Sequence, residues 1–194
     1  GIALFEKYKH NLLGVISDVN YFKGGKRDAK AGFELLKYVR SIERYFPFLI
    51  QSSDIENEKM ALELKGKFLH KHSETVGSEI KDYITKYFSF GAFEFWAPVQ
   101  MTVLAKVTDL NEFQKALTIV TNDAIVYHSK RSEYSKWLQS RALFSLANLF
   151  SNVEYEDFDD VDQIRDFLID GIKAYRVFRS RGVIAKFDKN RYDE

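Results

Sequence analysis

A mixed α/β fold follows from three observations on this 194-residue sequence. Short apolar runs alternate with helix-patterned segments along residues 1–90. Each run stops at a polar side chain. Beyond residue 90 the pattern changes to one hairpin followed by helices. The expectation is a parallel α/β sheet with covering helices over residues 1–90, then an α-rich α+β domain with an N-terminal β-hairpin over residues 91–194.

Residues 3–10 (ALFEKYKH) place Leu4, Phe5 and Tyr8 on one helical face, and Asn11 is a natural stop. Residues 12–17 are nearly continuous in apolar side chains, as a parallel strand buried on both faces requires, and they end at Asp18. After a Gly- and Lys-rich loop, Phe33, Leu35, Leu36, Val39 and Ile42 repeat with helical period over residues 32–45. Pro47 ends that helix, and residues 48–50 form a second strand running into Gln51, Ser52 and Ser53. Asp54 caps a helix over residues 55–64 that closes at Gly66. The third strand, KFLH at residues 67–70, precedes Lys71, and Ser73 caps a long helix to about Phe88.

In the second half, AFEFW at residues 92–96 alternates like a strand, with MTVLAKV at residues 101–107 as its hairpin partner. Asp109 caps a helix over residues 110–119, with Leu110, Phe113 and Leu117 as its buried stripe. Residues 123–128 lead into a helical face built from Tyr134, Trp137, Leu138, Leu143 and Leu146. An acidic loop and cap over residues 157–162 introduces the last helix, residues 163–179, and the tail 182–194 reads as a charged linker.

A net charge of +1 gives no bulk attraction to nucleic acid or to an anionic membrane. There is no cysteine, which excludes disulfides and thiolate metal sites and agrees with a cytoplasmic setting. No apolar run approaches the roughly 20 residues needed to span a bilayer. Seventeen Phe and eleven Tyr predict aromatic-rich cores or a buried domain interface. The first residue is Gly1 rather than Met, so the chain reads as a piece of a longer protein.

Three successive strands therefore end at Asp18, Ser52 and Lys71. In open α/β sheets, ligands sit beyond the carboxyl ends of the strands. An acid, a hydroxyl and an amine gathered there suit transfer of a phosphoryl group onto the acid. The carboxylate attacks, and the hydroxyl and ammonium stabilise charge on the phosphoryl oxygens. In the second half, His128, Arg131 and Arg141 form a polar cluster able to bind phosphate or carboxylate in fork geometry. The plainer reading of that cluster is a solvated helix face with His128 as a cap.

The order Asp…GFELLKYVR…FLIQSS…ENEKMALEL…FLHKHS resembles the C-terminal two-thirds of a response-regulator receiver domain, a flavodoxin-like fold. The resemblance implies Asp18 as phosphate acceptor and Ser52 as the hydroxyl that senses the phosphoryl group. It also implies Lys71 as the family's lysine, Phe68 as the switch aromatic and Mg²⁺ held by Asp18 and the carbonyl of Asn20. Three departures stand out. The loop over residues 21–31 is long, and His72 replaces the usual proline. The family's first two strands, with the acidic pair that holds Mg²⁺, have no counterpart. Loss of those strands leaves residues 12–17 as a bare edge open to homo-oligomer formation.

The second half, through DAIVYHSKRSEYSKWLQSRALFSLA and DFLIDGIKAYRVFRSRGVIAKFD, resembles an accessory region of phosphoenolpyruvate synthase and pyruvate phosphate dikinase-related proteins. Together the two resemblances imply a regulatory phospho-acceptor module, not an enzyme by itself. Its partners would be a phosphodonor or sensor kinase and a downstream catalytic domain of the parent phosphotransferase. A pseudo-receiver used only for protein contacts, or a small ligand binder around His128, are the competing expectations.

Overall fold

The computed structural model describes residues 1–186, so the end of the expected linker, residues 187–194, lies outside the described residues. The chain divides into two compact units, Gly1–Gly91 and Ala92–Glu194.

The first unit contains α1 (Ile2–Tyr8), β1 (Val15–Asp18), β2 (Tyr21–Lys23), β3 (Lys26–Asp28), α2 (Ala31–Ile42), β4 (Phe48–Ser52), α3 (Asn57–Glu63), β5 (Lys67–His70) and α4 (Val76–Tyr87). Strands β1, β4 and β5 form a parallel sheet in that order, with Asp18 opposite Gln51 and Ser52 opposite His70. The middle strand is buried on both faces because successive side chains point oppositely. Phe48 and Ile50 join Phe33, Leu36, Val39 and Phe68 in one cluster, while Leu49 joins Leu69 and Tyr83 in another. Helix α2 exists to cover the first cluster: Leu36 and Val39 on its apolar stripe are fully buried. Strand β1 is an edge of this sheet among the described residues, and its Ile16 is partly exposed.

The loop expected after Asp18 contains a structure of its own. Strands β2 and β3 pair as an antiparallel hairpin, with Phe22 opposite Arg27 and Lys23 opposite Lys26. Its two-residue turn is Gly24–Gly25, with φ of +58° and +80°. Two consecutive positive φ values match the twist of a tight hairpin and are costly for any residue with a Cβ.

The second unit contains β6 (Phe93–Ala97), β7 (Thr102–Val107), α5 (Leu110–Leu117), α6 (Asn122–Ser129), α7 (Glu133–Gln139), α8 (Phe144–Ser151) and α9 (Val161–Lys186). Strands β6 and β7 form an antiparallel hairpin with an irregularity between Phe95 and Trp96. Asp109 caps α5 by accepting the backbone N–H groups of Asn111 and Glu112, each at 2.8 Å. At the other end, the Arg165 guanidinium donates to the carbonyls of Leu117 and Val120 and to Asn122. Those carbonyls lie in and just beyond the last turn of α5, where the helix itself offers no partner. The core is aromatic: Phe113 stacks on Trp137 at 5.0 Å and Phe93 packs edge-on to both.

Several expectations need correction. Strand β1 begins at Val15 rather than at residue 12, and none of its side chains is fully buried, because it is an edge of the sheet among the described residues. Asp54 and Ser73 do not cap α3 and α4, whose N-cap positions are Glu56 and Thr75; their side chains instead accept the Glu56 and Thr75 N–H groups in local turns. The helical face through Tyr134–Leu146 is split into α7 and α8, because Ala142 takes a left-handed conformation (φ +56°) that no α-helix continues through. The last helix runs on to Lys186, so residues 182–186 are helical rather than linker.

Candidate functional site

The site sits at the carboxyl ends of β1, β4 and β5. Beyond Asp18 the chain stays tied to the sheet, since the Val19 N–H donates to Gln51 O at 3.1 Å. Val19 O in turn accepts the Gly32 N–H at 2.9 Å, locking the start of α2 against the strand end. On the far side, the Lys71 N–H donates to Ser52 O at 2.9 Å, which fixes the backbone of Lys71 beside the middle strand.

These backbone ties bring Asp18 and Lys71 together across the sheet, 53 residues apart in sequence. The Lys71 ammonium donates directly to Asp18 Oδ2, and the Asn20 N–H donates to Oδ1 at 3.3 Å. Partial burial pushes the Asp18 carboxyl up, but the Lys71 hydrogen bond, the Asn20 N–H and the Lys71 charge outweigh it. The net result is a carboxyl below its ordinary range.

A depressed carboxyl contributes stability above its unfolded-state pKa, and that contribution fades as pH falls through the folded value. Both side chains are more than a third exposed, 36% for Lys71 and 39% for Asp18, so solvent screening keeps the effect below about 1 kcal/mol. Lys71→Met should therefore flatten the acid limb of a stability-versus-pH curve and leave the neutral plateau nearly in place. An unchanged acid limb would show that the pair does not form in solution.

Ser52 lies at the end of the middle strand and is 3% exposed. Its Oγ accepts the Asp54 N–H and the Asn57 side-chain amide, both at 3.0 Å. A hydroxyl has two lone pairs and one proton, so the proton is the group left to meet a new oxygen. Asn57 is the first residue of α3 and was not singled out by sequence reasoning. The available signal was an amide side chain three residues after Asp54, whose carboxylate turns the chain by accepting the Glu56 N–H. Phe68 is buried in the sheet core, 6% exposed. Asn20 contributes its N–H to the Asp18 turn.

No family model, curated protein or solved structure matches this chain.

Mg²⁺ demands near-octahedral oxygen coordination and keeps several waters alongside one or two carboxylates. At Asp18 the described residues offer one carboxylate, whose oxygens already serve Lys71 and Asn20, with the Asn20 carbonyl nearby in sequence. Among the described residues, no group of three or more His, Asp or Glu stands together to hold a metal. This donor set alone does not make up a Mg²⁺ site.

Of the second-unit residues, His128 and Arg131 meet at the Glu133 carboxylate, whereas the contacts of Arg141 are with Trp137 and Ser140. His128 is 2% exposed, so it is neither a surface cap nor part of a solvated face. Its Nε2 accepts the Trp96 N–H at 2.8 Å, which leaves the proton on Nδ1 to donate to Glu133 at 2.5 Å. Both ring nitrogens are thus engaged within the fold, and the ring packs among Phe93, Phe95 and Tyr134. Arg131 bonds Glu133 at 3.0 Å and lies over the Tyr127 ring. Arg141 lies 3.8 Å over the Trp137 ring and donates to Trp137 O and Ser140 Oγ. Among the described residues, no helix is long and apolar enough to cross a membrane.

Proposed function

We propose that the first unit is a receiver-like phospho-acceptor module, flavodoxin-like in its sheet, that regulates a larger phosphotransferase-type protein. The observation that carries the reading is the Lys71–Asp18 contact at the strand ends, with Ser52 closing the middle strand and accepting the Lys71 N–H through its carbonyl. A lone surface ion pair would be unremarked. An ion pair beyond the carboxyl ends of a parallel sheet, with a buried hydroxyl on the strand between, has the composition of a phosphoryl site.

In the proposed step, an Asp18 carboxylate oxygen attacks the phosphorus of an acyl phosphate. The P–O bond to the donor breaks, and the donor carboxylate leaves with the electron pair. Lys71 exchanges its carboxylate partner for a phosphoryl oxygen, and the Ser52 proton donates to another. Because Ser52 also holds Asn57, a shift of its hydroxyl reaches the start of α3. The same reading places the module in the cytoplasm, with a sensor kinase or small-molecule phosphodonor as donor. It further leaves the β1 edge available to a second copy or to another segment of the parent.

The test is intact-mass analysis after incubation with acetyl phosphate. The wild-type chain should gain one phosphoryl group, labile to hydroxylamine, and Asp18→Asn should gain none. A wild-type chain that stays unmodified favours the second reading, a pseudo-receiver acting through contacts alone. That reading draws on one observation: both Asp18 oxygens are already hydrogen-bonded within the fold.

A further inference from the structure

We infer that the β2–β3 hairpin is an electrostatic collector that concentrates negatively charged phosphoryl donors at Asp18; the inference rests on the phospho-acceptor reading above. Both ends of the hairpin are tied to the strand end that carries Asp18. It begins at Tyr21, just past the Asn20 N–H that donates to Asp18, and the Tyr21 hydroxyl donates to Ala31 O at 2.9 Å. It returns through Asp28, which accepts the Lys30 N–H at 2.8 Å, and through Gly32, bonded to Val19 O. The element that carries these charges is therefore anchored at both ends to the strand end that holds Asp18.

Those charges are one-sided. Between Tyr21 and Ala31 stand Lys23, Lys26, Arg27 and Lys30, against the single carboxylate of Asp28. The whole chain is balanced to +1, so the excess is local. Lys26, Arg27 and Lys30 are exposed and have no ion pair among the described residues. Strands of three residues have little cooperative stability to spare. A purely structural or solubilising loop has no need of this arrangement next to a nucleophilic carboxylate, whereas a site that must attract a dianion does. Clustered charge raises local anion concentration and on-rates, and salt removes the effect over a Debye length of about 8–10 Å.

The experiment measures the initial rate of Asp18 phosphorylation by acetyl phosphate on the full chain, across a range of salt concentrations. Lys26→Glu with Arg27→Glu should slow the reaction about fivefold at low salt and converge on the wild-type rate at high salt. Lys59→Glu with Lys81→Glu, the same charge change on exposed positions of α3 and α4, should alter the rate less than about twofold. The less charged donor phosphoramidate should show a weaker salt dependence than acetyl phosphate. Circular dichroism of both variants checks that they fold. The inference is overturned by a hairpin variant as fast as wild type, by a deficit that persists at high salt, or by equal slowing in the α3/α4 variant. Wild-type labelling without salt dependence sinks this inference alone; no wild-type labelling sinks the phospho-acceptor reading with it.

Discussion

Gly32→Ala should destabilise the first unit by about 3 kcal/mol, although helix propensity alone predicts a gain of up to about 1 kcal/mol. Gly32 is the second residue of α2, where alanine is ordinarily the better choice. Here a Cβ would stand 2.1 Å from the Asp18 carbonyl oxygen and 2.9 Å from Val19 Cα. These are backbone atoms of the strand end that carries the candidate nucleophile, so neither can swing aside. Either α2 lifts away, losing the Gly32 N–H bond to Val19 O, or the Asp18 turn deforms. Gly77→Ala is the matched control: it lies in α4 with nothing within 4 Å of the added carbon, and it should stabilise by roughly 0.5–1 kcal/mol. Urea unfolding followed by circular dichroism reads both. The same sign for the two substitutions would mean that the close approach of α2 to β1 is not maintained in solution.

The second large effect falls in the other unit. Trp137→Ala should cost about 3–5 kcal/mol, the range for truncating a large buried aromatic. Trp137 is 1% exposed, stacks on Phe113 at an interplanar angle of 17° and carries the Arg141 guanidinium on its ring. Truncation opens a cavity in the aromatic cluster and strips Arg141 of its platform. With typical domain stabilities of about 5–15 kcal/mol, the unit is left near its unfolding threshold. The remaining tryptophan, Trp96, is in the same unit and reports its unfolding by fluorescence. A midpoint shift of less than about 1 kcal/mol would mean that the cluster collapses around the gap or is loosely packed.

The parallel sheet was legible because its strands are apolar runs with abrupt polar ends, and Phe48, Leu49 and Ile50 are indeed buried on both faces. The order β1-β4-β5 is not carried by the apolar runs themselves, whereas the meeting of Asp18 with Lys71 agrees with the expectation that the strand ends share one rim. What escaped was set by backbone geometry or tertiary contact. The Gly24–Gly25 turn was visible as glycines, but the flanking Tyr-Phe-Lys and Lys-Arg-Asp segments carry no alternating apolar pattern to announce strands. Ala142 gives no hint of a left-handed conformation, so one helical face was read where two helices stand. His128 carries polar neighbours in sequence, yet the fold buries it against Phe93 and Phe95 from a different element. Periodicity cannot report a partner thirty-two residues away, as the Trp96 N–H is.

Helix α3 is lightly anchored. It spans seven residues, of which Ala61 is the one buried apolar side chain, while Met60 and Leu62 face water. Its first residue, Asn57, is pinned by a hydrogen bond that its side-chain amide donates to the Ser52 hydroxyl oxygen. A net hydrogen bond is worth about 0.5–1.5 kcal/mol, which rivals what so small an apolar contact contributes. The leverage is therefore unequal: releasing a single amide can redistribute an entire helical turn, while the sheet beneath it stays still.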